Sequence, residues 1–163
     1  MKSKILVSFV IAALSSVAAC GQSPRFQWGP TASGTFGSLI VNRGHITLSQ
    51  QIQFATNSAE IQEGQSEAVL RDLASLLRDN AQIRAIRVEG HTDLRGDAAA
   101  NLELSQQRAR SVAQYLERHG GSSVRFEPVG YGITQPLCRE DGDACHDRNR
   151  RVEFSVTDPA PVQ

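Results

Sequence analysis

Lysine is nearly missing from this chain: it occurs only at positions 2 and 4 of 163 residues. The 17 Lys plus Arg therefore reduce to 15 Arg beyond residue 4, against 17 Asp plus Glu, a balance of about −2. No basic excess of the kind that tracks a phosphate backbone is present, so nucleic acid is not an expected partner. Long apolar runs are also lacking. The longest, Ile5–Leu14, has ten residues, about half of what a membrane-spanning helix needs. Cysteine is scarce, with three in all, which leaves little for thiol chemistry or a thiolate metal site.

The short apolar run follows the basic Lys2 and Lys4 and precedes small residues, the layout of an export signal. Its end, Val17-Ala18-Ala19-Cys20-Gly21, resembles a bacterial lipobox, in which the cysteine is diacylated and the chain is cut before it. An ordinary secretory signal with an incidental Cys20 is the alternative. The resemblance implies that Cys20 is the lipidated mature terminus and that, with Gly21 next, the protein is released to the outer membrane. At roughly 0.8 kcal/mol per buried methylene, two or three acyl chains anchor stably where one is marginal. The expected organisation is a signal peptide over 1–19, a flexible Gly/Ser/Pro-rich tether over 20–44, one domain over 45–157 and a tail over 158–163. The 144 residues left after cleavage (163 − 19) suit one domain with a tail.

Within the domain the hydrophobic period changes several times. Ile46, Leu48, Ile52 and Phe54 alternate with polar residues, predicting a strand that ends in the turn Thr56-Asn57-Ser58. Val69, Leu70, Leu73, Leu76 and Leu77 recur at helical spacing, and Ile83, Ile86 and Val88 lead as a strand into Gly90-His91-Thr92-Asp93. Ala109, Val112, Ala113 and Leu116 mark a second helix with Gly120 as its stop. Val124, Phe126 and Val129 predict a third strand, and Val152, Phe154 and Val156 a fourth. The order β-α-β-α-β-β predicts an α/β (α+β) sandwich, a mixed sheet with helices packed on one face.

Gly90-His91-Thr92-Asp93 is followed by Gly96, Asn101, Leu104-Ser105, Arg108-Ala109, Gly130-Tyr131-Gly132, Pro136 and Asn149-Arg150-Arg151-Val152-Glu153. This succession, from about Phe54 to Val156, resembles the OmpA-like C-terminal domain family, and the lipobox directs the resemblance to its peptidoglycan-associated lipoprotein group. The resemblance implies binding of the diaminopimelate residue of peptidoglycan stem peptides, with no cofactor and no catalysis. It further implies a lipid-anchored protein of the outer membrane, its domain in the periplasm, with Tol-like proteins as further partners. A second reading is a periplasmic protein-interaction module of a Tol-type, secretion or motor complex.

Diaminopimelate ends in an ammonium and a carboxylate on one carbon, so its receptor needs an anion and a cation side by side. Asp93 suits the ammonium. Arg108 suits the carboxylate through two parallel N–H···O bonds, which lysine cannot form. Asn57, Thr92, Asn101 and Arg150 are carried over as secondary ligands. Structural alternatives stay open: Asp93 as a helix cap or turn carboxylate, Arg108 as a solvated cation or partner of Glu89, and Asn149-Arg150-Arg151 as an ion-pair cluster at a strand start.

Cys138 and Cys145 flank a short acidic loop, and in an oxidising periplasm they are expected to form a disulfide. The alternative is a metal site that adds His146, although no fourth ligand stands at a standard spacing. Glu89, His91 and Asp93 alternate along the second strand, so an enzyme reading would place all three on one face.

Overall fold

The computed structural model describes residues 33–120 and 123–159. The export signal, Cys20 and the first part of the expected tether lie outside the described residues. The elements are β1 (Ser33–Phe36), β2 (Leu39–Asn42), β3 (His45–Leu48), α1 (Glu63–Asp79), β4 (Ile83–His91), α2 (Ala98–His119), β5 (Arg125–Gly132), α3 (Asp143–Asn149) and β6 (Val152–Pro159). The strands form a single mixed sheet in the order β1-β2-β3-β6-β4-β5, in which only β4 and β5 run parallel.

Three expectations are corrected here. Residues 33–42, assigned to the tether, form a hairpin whose Leu39 and Val41 are fully buried in the core. A turn with positive φ at both Arg43 (46°) and Gly44 (90°) continues it into β3, the backbone that matches strand twist in a two-residue hairpin. Asp72 of α1 accepts the Ser38 N–H at 2.6 Å and fastens the hairpin to the helix. The first predicted strand stops at Leu48, with Phe54 surviving as an isolated bridge to Ile61. β6 runs on to Pro159, into the expected tail.

The two long helices form where the apolar period predicts them. α1 buries Val69, Leu70, Leu73, Ala74, Leu76 and Leu77. α2 is capped by Asp97, whose side chain accepts the Ala100 N–H at 2.8 Å, and ends where the Gly120 N–H reaches Leu116 O. Both join Ile46, Ile86, Val88 and Phe154 of the sheet in one apolar core, while Arg87, Glu89, Glu127 and Glu153 alternate with these positions and are half-buried or paired on the other face. One dry face and one polar face is the pattern of a sheet covered by helices on one side.

Glycine decides how closely α2 lies on the sheet. A Cβ at Gly90 would stand 2.2 Å from Ser105 O, and one at Gly130 2.4 Å from Gln106 N. The helix backbone thus rests on the strand backbones. From there Ser105 Oγ accepts the Gly132 N–H (2.9 Å), and the Gln106 amide accepts from Gly130 N and donates to Pro128 O. These side chains satisfy the outer edge of β5, where Pro128 has no N–H to offer. The same contact fixes where Arg108, one turn further on, meets the ends of β4 and β5.

Candidate functional site

β4 and β5 end together, with the Thr92 N–H bonded to Gly132 O at 3.0 Å, and ligands commonly gather beyond the carboxyl ends of parallel strands. A cavity of about 320 Å³ opens there. Its walls include all six residues carried over as ligands, Asn57, Thr92, Asp93, Asn101, Arg108 and Arg150, completed by Arg95, Gly96 and Leu104. They come from four different places: the loop after β3, the residues just after β4, α2 and the end of α3.

Each side chain is held by a nameable contact. Asn57 sits at φ 51°, a left-handed position that asparagine tolerates better than most residues. Its loop is closed by Ala55 N–H to Glu60 O and Gln62 N–H to Gln53 O, both 2.9 Å. Asn101 donates to Arg95 O at 2.7 Å, tying α2 to the loop after β4. The Thr92 hydroxyl is buried and has no hydrogen-bond partner among the described residues, which leaves it ready for a ligand. Arg108 lies at the edge of the apolar face of α2, as its position in the helix predicts, with Nε donating to Ser58 O at 3.0 Å. Its guanidinium carbon stands 4.9 Å from the centre of the Phe54 ring, a cation–π contact that leaves the charge poorly hydrated.

Asp93 is both a turn carboxylate and an ion-pair partner. One oxygen accepts the Arg95 N–H (3.1 Å), and the other takes Arg150 Nη1 at 2.6 Å. Burial opposes its ionisation, but the Arg150 hydrogen bond, the Arg95 N–H and the Arg150 charge outweigh it and hold its pKa below the usual carboxylate value. For Arg108, burial and then the like charge of Arg150 lower the pKa, against a rise from Asp93. Arg150 also pairs with Asp147 of α3. Sequence reasoning ranked Arg150 as secondary and missed this direct pairing with Asp93. It missed Phe54 as the floor under Arg108 as well, because an aromatic after a strand reads as core. Arg108 does not pair with Glu89, which accepts the Ser155 hydroxyl at 3.2 Å.

The grouping of Glu89, His91 and Asp93 that an enzyme reading would require is not what forms. A register shift between Gly90 and His91 turns the chain, so Asp93 enters the cavity while Glu153 of β6 approaches Glu89 and His91, their ligand atoms within 4.8 Å of one another. His91 is 2% exposed, stacks on Tyr131 at 5.3 Å and has no partner at either ring nitrogen among the described residues. Burial, and secondly the Arg151 charge, push its pKa down to about 4, against Glu153.

Cys138 and Cys145 are bonded, their Cα atoms 5.8 Å apart, so the sulfurs of the alternative metal site are committed to each other. His146 turns to Asp141 at 3.1 Å. The loop they close leads into α3, which carries Cys145 and which no apolar periodicity announced. Asn149 clasps it from inside: fully buried, it accepts the Leu137 and Cys138 N–H groups and donates to Cys138 O. Arg151 pairs with Glu153 at 2.6 Å. The Asn149-Arg150-Arg151 run is therefore a structural cluster at a strand start that also sends Arg150 into the cavity.

The sequence profile of the OmpA family matches residues 53–150. The peptidoglycan-associated lipoprotein of Buchnera aphidicola is 39% identical over 82 residues, covering 50% of this chain and 47% of that protein. The protein of the same description from Pasteurella multocida is 30% identical over 155 residues, 93% of this chain and 97% of its own length. Among solved structures, the cell wall anchor of the type VI secretion system of Pseudomonas aeruginosa superposes with a TM-score of 0.62 at 29% identity, covering 74% of this chain and 88% of that one.

Proposed function

This chain belongs to the OmpA family, and from that premise we propose that its domain binds the diaminopimelate of peptidoglycan stem peptides and ties the outer membrane to the cell wall without catalysing a reaction. The observation that carries this reading is the single cavity into which Asp93, Arg108, Asn57, Thr92, Asn101 and Arg150 converge. Asp93 receives the ligand ammonium and Arg108 its carboxylate. Arg150, which holds Asp93 in the free protein, gives up part of that contact to the ammonium and turns toward the carboxylate. The protein is an outer-membrane lipoprotein with its domain facing the periplasm, as its relatives' description as peptidoglycan-associated lipoproteins supports. Cys20 carries the anchor. A Tol-type, secretion or motor partner is compatible with this reading, and the likeness to a cell wall anchor of a secretion system supports the wall-binding half they would share.

Pull-down with purified sacculi tests the site. Asp93→Ala and Arg108→Ala each leave half of a zwitterion unpaired, at about 1 to 3 kcal/mol, so binding by the folded protein falls about tenfold or more; Arg108→Ala changes the melting temperature little, whereas Asp93→Ala also loses the Arg150 pair and the Arg95 N–H bond and melts lower. Arg108→Lys also loses most binding, because a point charge lacks the two-bond fork. The double variant is little worse than either single one, since both report on one ligand group. Full binding by a folded double variant would overturn the assignment.

A further inference from the structure

A second cavity, of about 370 Å³, lies on the other side of Arg108 and Arg150. Arg148 and Arg151 complete a wall of four guanidinium groups, facing His91 and Phe54. Asp147 is the one carboxylate in that wall, and it is engaged by Arg150. Arg151 is likewise engaged by Glu153. The Arg148 side chain forms no ion pair among the described residues, and Arg108 spends only its Nε, on Ser58 O. Positive charge therefore exceeds negative among the lining side chains, which include the buried His91; its ring nitrogens make no hydrogen bond among the described residues, and one of them lies within 4.8 Å of the carboxylates of Glu89 and Glu153 behind it. An anion seated here would meet the free guanidinium groups of Arg108 and Arg148, with His91 in the wall beside it.

We propose that this cavity is an anion subsite, filled by a second free carboxylate of the same stem peptide whose diaminopimelate end occupies the Asp93 cavity. The inference rests on the reading of that first cavity. The two cavities share Arg108 and Arg150 as a common wall, so a carboxylate a few bonds from the zwitterion reaches the second while the zwitterion stays in the first. Gln51 and Gln53 also line the cavity; Gln51 Nε2 donates to Asp147 O at 2.8 Å and Gln53 Nε2 to Gln51 O at 3.4 Å, so each amide keeps one N–H for such a group. An inorganic anion from solution shares the chemistry and is separated from the peptide carboxylate by the test.

The test uses the mature chain in detergent and two synthetic stem peptides with the same zwitterionic diaminopimelate end. One keeps its remaining carboxylates free, and the other has them amidated. Calorimetry is expected to give about tenfold tighter binding of the free-carboxylate peptide, the scale of a charge-assisted contact. Arg148→Ala and Arg148→Glu, at an exposed residue with no part in the Asp93 cavity, are expected to erase that advantage and leave the amidated peptide unchanged. Inorganic phosphate alone, followed by the His91 ring resonances, forms the other arm. Equal affinity for both peptides with a His91 response to phosphate would overturn the peptide carboxylate and leave an anion site filled from solution. Equal affinity with no phosphate response would overturn the subsite altogether. Failure of both peptides to bind would count against the diaminopimelate reading instead, and the phosphate arm would still decide whether the recess takes anions.

Discussion

His91 is the residue where the local chemistry is most sharply set. Held neutral by burial and by Arg151, with a pKa of about 4, it takes up its proton later than the same histidine in the unfolded chain, whose value is 6.5. The unfolded state therefore binds more protons between these values, and stability falls as the pH drops through that window. The loss reaches about 3 kcal/mol near the lower end. Urea unfolding of the wild type is expected to show a midpoint that declines from pH 6.5 to 4, and His91→Gln to flatten that decline. A wild-type midpoint constant over this range would refute the buried neutral imidazole. That Asp93 and Arg108 meet at one cavity was legible in the sequence because their neighbours form a recognisable motif. The Arg150 contact was not, since the partners are 57 residues apart and nothing in spacing reports such a pairing.

At the scale of elements, the contact of α2 with β4 and β5 sets the position of Arg108 to within a side chain's reach. Gly130→Ala would drive a Cβ into the helix backbone at Gln106, 2.4 Å away, so the helix must lift. Overpacking of this kind costs about 1 to 3 kcal/mol. The variant is expected to unfold at lower urea and to bind sacculi more weakly even where it is folded, because Arg108 moves with its helix. Unchanged stability would show that the helix can yield freely. The helices α1 and α2 were readable from the sequence because each is long enough, at 17 and 22 residues, to repeat its apolar period several times. β1 and β2 have four residues each, too few for alternation to stand out among glycines and serines. α3 has seven residues and is held by a disulfide and the Asn149 clasp, so its own sequence carries no helical signature. The tether boundary was misplaced for the same reason: Leu39-Ile40-Val41 is a three-residue apolar run with no readable period, until the hairpin buries Leu39 and Val41 on one face and leaves Ile40 exposed.

For the whole molecule, on the proposed reading, the anchor and the cavity act together. A domain held beside a polymer that repeats its ligand works at high effective concentration, so a weak single site suffices. Cys20→Ser is expected to fold normally but to leave the membrane fraction, and in cells it should hold the wall far less well while its purified form keeps the same affinity for sacculi. A loss of affinity in the purified variant would show that the anchor takes part in binding. The strand pairings add a direction to this arrangement. Ser33 lies opposite Asn42, Asn42 opposite His45, and His45 opposite Ser155, three residues beyond Val152 at the cavity end. The described chain therefore enters the sheet at its outer edge, at the end of β1 that points away from the Asp93 cavity. On the proposed reading, with the anchor ahead of Ser33 and the wall in the Asp93 cavity, drawing the two envelope layers apart would pull β1 along its own axis. Its hydrogen bonds to β2 are then strained in shear, all together, and not peeled open one after another. A four-residue strand that would come away readily if lifted sideways becomes a coupling able to carry tension.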